Sequence, residues 1–133
     1  MRVLELPLRG LSVTSPFKEA ALAVAGASSP RADHVGAANT LVWDEGVWEA
    51  ETTDPEGVTR ALDDLGVTTR GVRAAVVGCG GAGKAAAYGL EITGAGVTLV
   101  NRSVERGEQA LFDERRHDGR HGRLVQTGEL DDP

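Results

Sequence analysis

Three glycines, Gly78, Gly80 and Gly83, lie in the run Ala74-Ala75-Val76-Val77-Gly78-Cys79-Gly80-Gly81-Ala82-Gly83-Lys84, spaced to cradle a phosphate. A short apolar stretch enters the cluster and an alanine-rich helical pattern leaves it. Read as strand, tight turn and helix, the run converges backbone N–H groups and a helix N-terminus on one point, which favours an anion. In G-x-G-x-x-G the first glycine allows the turn, the second lets a pyrophosphate approach, and the third lets helix and strand pack closely. Gly81 and Ala82 complete the turn and count with it as candidate contacts. The same residues nearly spell a P-loop, but Ala85 stands where a hydroxyl should reach magnesium, and no apolar strand ending in Asp follows. The dinucleotide reading survives; a turn that only packs a helix on a sheet is its alternative.

About twenty residues beyond Gly78, a dinucleotide fold presents the side chains that meet the adenosine ribose. Here the sequence offers Asn101-Arg102-Ser103 and then Arg106. Guanidinium groups bond and neutralise a 2′-phosphate, where a carboxylate would repel it, so the expected cofactor is NADP. An exposed polar turn with a helical Arg–Glu pair is the competing reading.

Four other residues are candidates for substrate chemistry. Lys18 falls near the third position of an expected helix, where a capping box prefers Glu or Gln and the helix dipole disfavours a cation. That placement favours release of a proton to substrate; a solvated surface lysine is the alternative. Asp54 precedes Pro55 at a helix start, as an ordinary cap would. Asn39, beside a strand, and Thr14, at a strand end, could hold substrate or merely turn the chain. Cys79 reads as a small side chain in a crowded turn, and Trp43 and Trp48 as a packed cross-strand pair.

The elements that must position these residues alternate between strand and helix. Leu11–Thr14 reads as a strand, and Ser15 caps a helix with Pro16 in its first position, running to about Ala25. Residues 27–36 form a loop or a single helical turn around Pro30. Strand Ala38–Trp43, turn Asp44-Glu45-Gly46 and strand Val47–Ala50 make a hairpin. A helix from Thr53 or Asp54 places Val58, Ala61, Leu62 and Leu65 on one face and stops at Gly66. After the polar connector 67–73 come the glycine turn, a helix from Ala85 to about Thr93, a buried strand Val97–Val100, a helix from Ser103 to about Arg115, and a short strand at Leu124–Gln126. The expected class is α/β. Residues 1–70 form a partial substrate-binding domain and 71–133 a partial Rossmann-like dinucleotide-binding domain, with only about half the six strands of a complete one.

With 133 residues, 41% of them hydrophobic and 26% charged, the chain has the composition of a soluble domain. A net charge of −6 argues against a nucleic-acid surface. No stretch has the length or apolarity of a signal or membrane-spanning segment. A single cysteine fits a reducing, cytoplasmic setting, and no metal-ligand cluster is apparent. The oligomeric state is not legible.

Four segments in order resemble shikimate dehydrogenase: Gly10-Leu11-Ser12-Val13-Thr14-Ser15-Pro16-Phe17-Lys18, Gly36-Ala37-Ala38-Asn39-Thr40-Leu41-Val42, Thr53-Asp54-Pro55-Glu56-Gly57, and Gly78 to Gly83 with Asn101-Arg102-Ser103. The resemblance implies reversible, NADPH-dependent reduction of 3-dehydroshikimate to shikimate, a step of aromatic amino-acid biosynthesis. It makes Lys18 and Asp54 the catalytic pair, Thr14 and Asn39 substrate ligands, and Asn101, Arg102, Ser103 and Arg106 the 2′-phosphate site. Thr52 stands where the family usually has Asn. The family's serine pair for the substrate carboxylate and its C-terminal glutamine helix fall outside this sequence, so either a fragment, as of a longer or fused polypeptide, or a truncated homologue is expected. An NAD-preferring quinate/shikimate dehydrogenase and a non-catalytic nucleotide-binding module are the alternatives.

Overall fold

The computed structural model describes residues 7–102 and 123–126. The chain divides into two compact units, Met1–Thr53 and Asp54–Pro133.

In the first unit, strands β1 (Gly10–Ser12), β2 (Ala27–Ser28), β3 (Thr40–Asp44) and β4 (Val47–Glu51) form one sheet in the order β1-β3-β4-β2. The β3–β4 hairpin is antiparallel, with Trp43 opposite Trp48, and β1 adds antiparallel to β3. Between the hairpin strands, Glu45 and Gly46 take φ of 43° and 90°, the twist that a two-residue primed turn requires. The strand β2 has only two residues and pairs parallel to β4, a pairing that the loop reading of 27–36 lacks. Period-2 alternation sends Leu41, Trp48 and Ala50 inward, where they pack with Ala21 and Ala38. The tryptophans meet edge to face at 5.4 Å.

Two helices complete this unit, α1 (Lys18–Val24) and α2 (Pro30–Val35). The Ala32 N–H donates to the Ser29 hydroxyl, Pro30 occupies the first turn, and Gly36 closes the helix in the left-handed region. At α1 the outcome differs from the capping expected at Ser15. The Phe17 N–H donates to the Thr14 carbonyl at 2.9 Å, so a tight turn takes up Ser15 and Pro16, joined by a cis peptide bond. The helix therefore begins two residues later, and Lys18 is its first residue rather than its third.

The second unit opens with α3 (Asp54–Asp64), followed by β5 (Arg73–Val77), α4 (Gly81–Ile92), β6 (Gly96–Asn101) and β7 (Arg123–Gln126). The sheet is wholly parallel in the order β5-β6-β7, one wing of a Rossmann-like sheet. Ala87, Leu90, Val97 and Leu99 form its core with Leu62, Ala74 and Val76. Helix α3 packs on α4, and a Cβ at Gly89 would come within 2.8 Å of the Pro55 carbonyl oxygen. This close packing is why the compact units divide at 53/54, whereas the sequence suggested a division at 70/71.

Several apolar positions depart from the sequence pattern, Ala61 among them, which is exposed. Leu65 lies beyond the end of α3 and is exposed, although the helical period put it on the packed face. In the apolar run that enters the glycine turn, Ala75 is exposed and Val77 is 78% exposed. Successive side chains on a strand point to opposite faces, so Ala74 and Val76 meet the core while Ala75 and Val77 turn away. The expected helix from Ser103 lies outside the described residues.

Candidate functional site

The first unit gathers three candidates at one end of its sheet. The Val13 N–H donates to the Asn39 carbonyl at 2.7 Å, extending the β1–β3 ladder up to Thr14. On the other side of Asn39, the Ala38 N–H donates to the Lys18 carbonyl at 2.9 Å. Thr14, Lys18 and Asn39 are thus neighbours through their backbones. Thr14 is exposed and Lys18 half-buried.

Asn39 is the most tightly held of the three. Its N–H donates to the Glu51 carbonyl at 3.1 Å. Its side-chain Oδ1 accepts from the Thr53 N–H at 3.2 Å and the Thr40 hydroxyl at 2.9 Å, while Nδ2 donates to Thr53 Oγ1 at 2.9 Å. These contacts tie the start of β3 to the residues after β4, and Asp54, the first residue of α3, follows directly.

Behind this lies a cluster the sequence did not reveal. Glu51 Oε1 accepts from the Ser29 hydroxyl (2.8 Å), from Arg31 Nε and Nη2 (3.2 and 3.0 Å) and from the Thr52 N–H (2.6 Å). Partial burial pushes the Glu51 carboxyl up, but the Thr52 N–H, the Ser29 hydroxyl and Arg31 outweigh it and hold it below the ordinary value of 4.5. A carboxyl depressed in the folded state stabilises the fold above its unfolded pKa, and that contribution is lost as pH falls through the folded value. The drop in urea-unfolding free energy from about pH 6 to about pH 3.5 is therefore expected to be smaller in Glu51→Gln than in the parent.

A shallow pocket of about 340 Å³ in this unit is lined by Ala27, Val42, Asp44, Glu49 and Glu51, among others, but by none of Thr14, Lys18 and Asn39. Val42 alternates with the inward Leu41, so the pocket lies on the opposite sheet face, away from the candidate residues.

The second unit places the glycine turn at the C-terminal end of its sheet. Gly78 has φ 102°, in the region that favours glycine, and its N–H donates to the Val100 carbonyl at 2.8 Å. That bond sets Gly78 beside the strand end carrying Asn101 and Arg102. Gly80 precedes α4, and a Cβ built there would meet nothing within 4 Å. A Cβ at Gly83 would fall 2.0 Å from the Gly78 carbonyl oxygen. The three glycines thus differ in what they provide: a left-handed turn, an open approach to the helix start, and contact between helix and turn. No acidic residue occupies the first turn of α4. Cys79 is buried, as its reading as a turn-packing side chain expects. Ser103 and Arg106 lie outside the described residues. Among the described residues no group of three His, Cys, Asp or Glu side chains could hold a metal ion, and no helix is long and apolar enough to cross a membrane.

A family model for the shikimate dehydrogenase substrate binding domain matches residues 1–41, the stretch that holds Thr14, Lys18 and Asn39. The NADP(+) shikimate dehydrogenase of Xanthomonas oryzae pv. oryzae is 46% identical over 121 residues, covering 88% of this chain and 41% of its own length. The chain is a relative of the shikimate dehydrogenases. The corresponding enzyme of Halobacterium salinarum is 41% identical over 81% of the chain. Shikimate dehydrogenase from Thermus thermophilus, crystallised with NADP(H) and shikimate, superposes with a TM-score of 0.77 at 34% identity, over 93% of this chain and 45% of that one. The Mycobacterium tuberculosis shikimate dehydrogenase gives a TM-score of 0.79 at 34% identity, over 95% and 48%. The chain therefore spans under half the length of these shikimate dehydrogenases, and the likeness runs through both compact units.

Proposed function

We propose that this chain carries the substrate-binding and NADP-binding elements of a shikimate dehydrogenase, acting in the reversible reduction of 3-dehydroshikimate to shikimate. The observation that carries the reading is the pairing of two constellations in one chain: Thr14, Lys18 and Asn39 at one sheet end, and a three-role glycine turn beside Asn101 and Arg102. Two relatives, 46% and 41% identical to the chain over the stretch they share with it, are named shikimate dehydrogenase (NADP(+)).

The residues present fit the cofactor. The open approach at Gly80 and the helix start without acidic residues suit a pyrophosphate, and Arg102 suits a 2′-phosphate. When bound, NADPH supplies the hydride. Lys18 gives a proton to the oxygen of the substrate ketone as negative charge develops there, and takes it back in the reverse direction. Asp54, the other member of the catalytic pair, accepts a hydrogen bond from a substrate hydroxyl, while Asn39 and Thr14 bond further hydroxyls.

The direct test follows NADP+ reduction with shikimate as the substrate; no reduction with shikimate by the active protein, but turnover of another hydroxy acid, would overturn the substrate assignment. Cofactor choice is tested separately. Arg102→Ala removes one charge-assisted bond to the 2′-phosphate, and is expected to weaken NADPH binding about 10- to 100-fold while leaving NADH binding nearly unchanged. Calorimetric titration with both nucleotides reads the ratio, and equal losses would remove the 2′-phosphate role from Arg102.

A further inference from the structure

We infer that Glu51 is a positioning residue that fixes the orientation of the Asn39 carboxamide, with Arg31 and Ser29 holding Glu51 in place. The functional half of this inference rests on Asn39 being a substrate ligand; the positional half stands on the contacts alone.

A carboxamide has two nearly equivalent orientations about its terminal torsion, with the oxygen and nitrogen exchanged. At Asn39 the choice is made by Thr53, which presents a donor, its N–H, to Oδ1 and an acceptor, Oγ1, to Nδ2. Exchange would set two N–H donors against each other at the Thr53 backbone, because the hydroxyl can turn to donate but the N–H cannot accept, and would cost that bond. The orientation of Asn39 therefore depends on where the backbone of Thr53 lies.

That position is set by Glu51. Its carboxylate folds back onto the N–H of the next residue, Thr52, at 2.6 Å, and its backbone carbonyl receives the Asn39 N–H. The side chain cannot swing away without leaving Ser29 and the Arg31 guanidinium, both of which bond the same oxygen. Arg31 and Ser29 sit at the start of α2, so the chain of contacts runs from that helix through Glu51 to Thr52, Thr53 and the Asn39 amide. Thr52 itself is almost fully buried, which limits any compensating shift of the segment. All of these residues belong to one compact unit.

Two measurements test this. The chain contains two asparagines, Asn39 and Asn101, and two glutamines, Gln109 and Gln126. Its side-chain amide nitrogens are therefore resolvable in a 15N-labelled sample. In Glu51→Ala, and separately in Arg31→Ala should the first variant fold poorly, the Asn39 amide pair is expected to shift and to exchange faster with solvent, with the Asn101 pair unmoved. An Asn39 pair unchanged in both variants would overturn the inference. In the active protein, Glu51→Ala is expected to raise the KM for shikimate about 3- to 10-fold with little change in kcat or in the KM for NADP+. Repeated in an Asn39→Ala background, the same substitution is expected to have no further effect on that KM, whereas a merely structural role would add its full effect. Additive effects would show that Glu51 does not act through Asn39. A parent protein that neither binds nor turns over shikimate would instead remove Asn39 as a substrate ligand, and the amide spectrum would still decide the positioning.

Discussion

Alanine at position 18 is expected to lower the rate of shikimate oxidation roughly 10²- to 10⁴-fold, the range over which a positioned general acid or base contributes, if Lys18 has the role proposed above. The fold gives reason to expect that loss without unfolding. The backbone of Lys18 is held by the bond from the Ala38 N–H to its carbonyl, which any side chain leaves intact. The side chain is only half-buried, and alanine is a good first residue for a helix. Thermal melting of Lys18→Ala should therefore match the parent closely while kcat collapses. Asp54→Ala is expected to lose activity on a similar scale, with a stability cost of about 0.3–1 kcal/mol because an acidic residue in the first turn of α3 is removed. If the two act as a unit, the double variant loses little more than either single one. Both single variants retaining full turnover would end the catalytic assignment.

Gly83→Ala should be the most damaging small substitution in the unit that carries the glycine turn. The added methyl would sit 2.0 Å from the Gly78 carbonyl oxygen and 2.9 Å from its carbonyl carbon. Both obstructing atoms are backbone, in a turn whose N–H is already committed to Val100, so relief requires moving the turn against the helix. Overpacking of this kind costs about 1–3 kcal/mol, against about 1 kcal/mol gained by replacing a helical glycine with alanine. The clash wins, and the displaced turn is expected to weaken NADPH binding at least about tenfold, the equivalent of about 1.4 kcal/mol. Gly57→Ala is the matching control. It makes the same chemical change inside α3 where nothing lies within 4 Å, and is expected to stabilise by about 0.5–1 kcal/mol. Stability and NADPH affinity unchanged in Gly83→Ala would show that the turn does not depend on that contact.

What the sequence made legible was whatever is encoded locally. The glycine turn is legible from the spacing of its three glycines, which have in the structure a positive φ at Gly78, open space at Gly80 and a close contact at Gly83. The Trp43 to Trp48 hairpin was readable because alternation and the Glu45-Gly46 turn agree. The start of α1 was not, since Ser15-Pro16 is an equally good signature for a helix cap and for the tight turn closed by Phe17 and Thr14. Leu65 kept the helical period after the helix had ended, so periodicity placed it on a face that no longer exists. The Glu51 cluster lay furthest out of reach: its partners Arg31 and Ser29 are 20 and 22 residues away, and nothing in an Arg, a Ser or a Glu taken singly signals the other two. Likewise the division at Thr53 and Asp54 follows from how closely Gly89 lets α4 approach Pro55, a long-range fit invisible in the polar connector that looked like a boundary.

The edge-to-face tryptophan pair has a practical consequence for every unfolding measurement above. Trp43 and Trp48 are the only tryptophans in the chain and both belong to the unit ending at Thr53. The single tyrosine, Tyr88, lies on α4 of the other unit. Indole emission is thus an optical reporter for the half bearing Lys18 and Asn39, and it is blind to melting confined to the half bearing Gly83. A Gly83→Ala sample could look intact by tryptophan fluorescence while its far-ultraviolet dichroism and tyrosine emission record the loss of the other half.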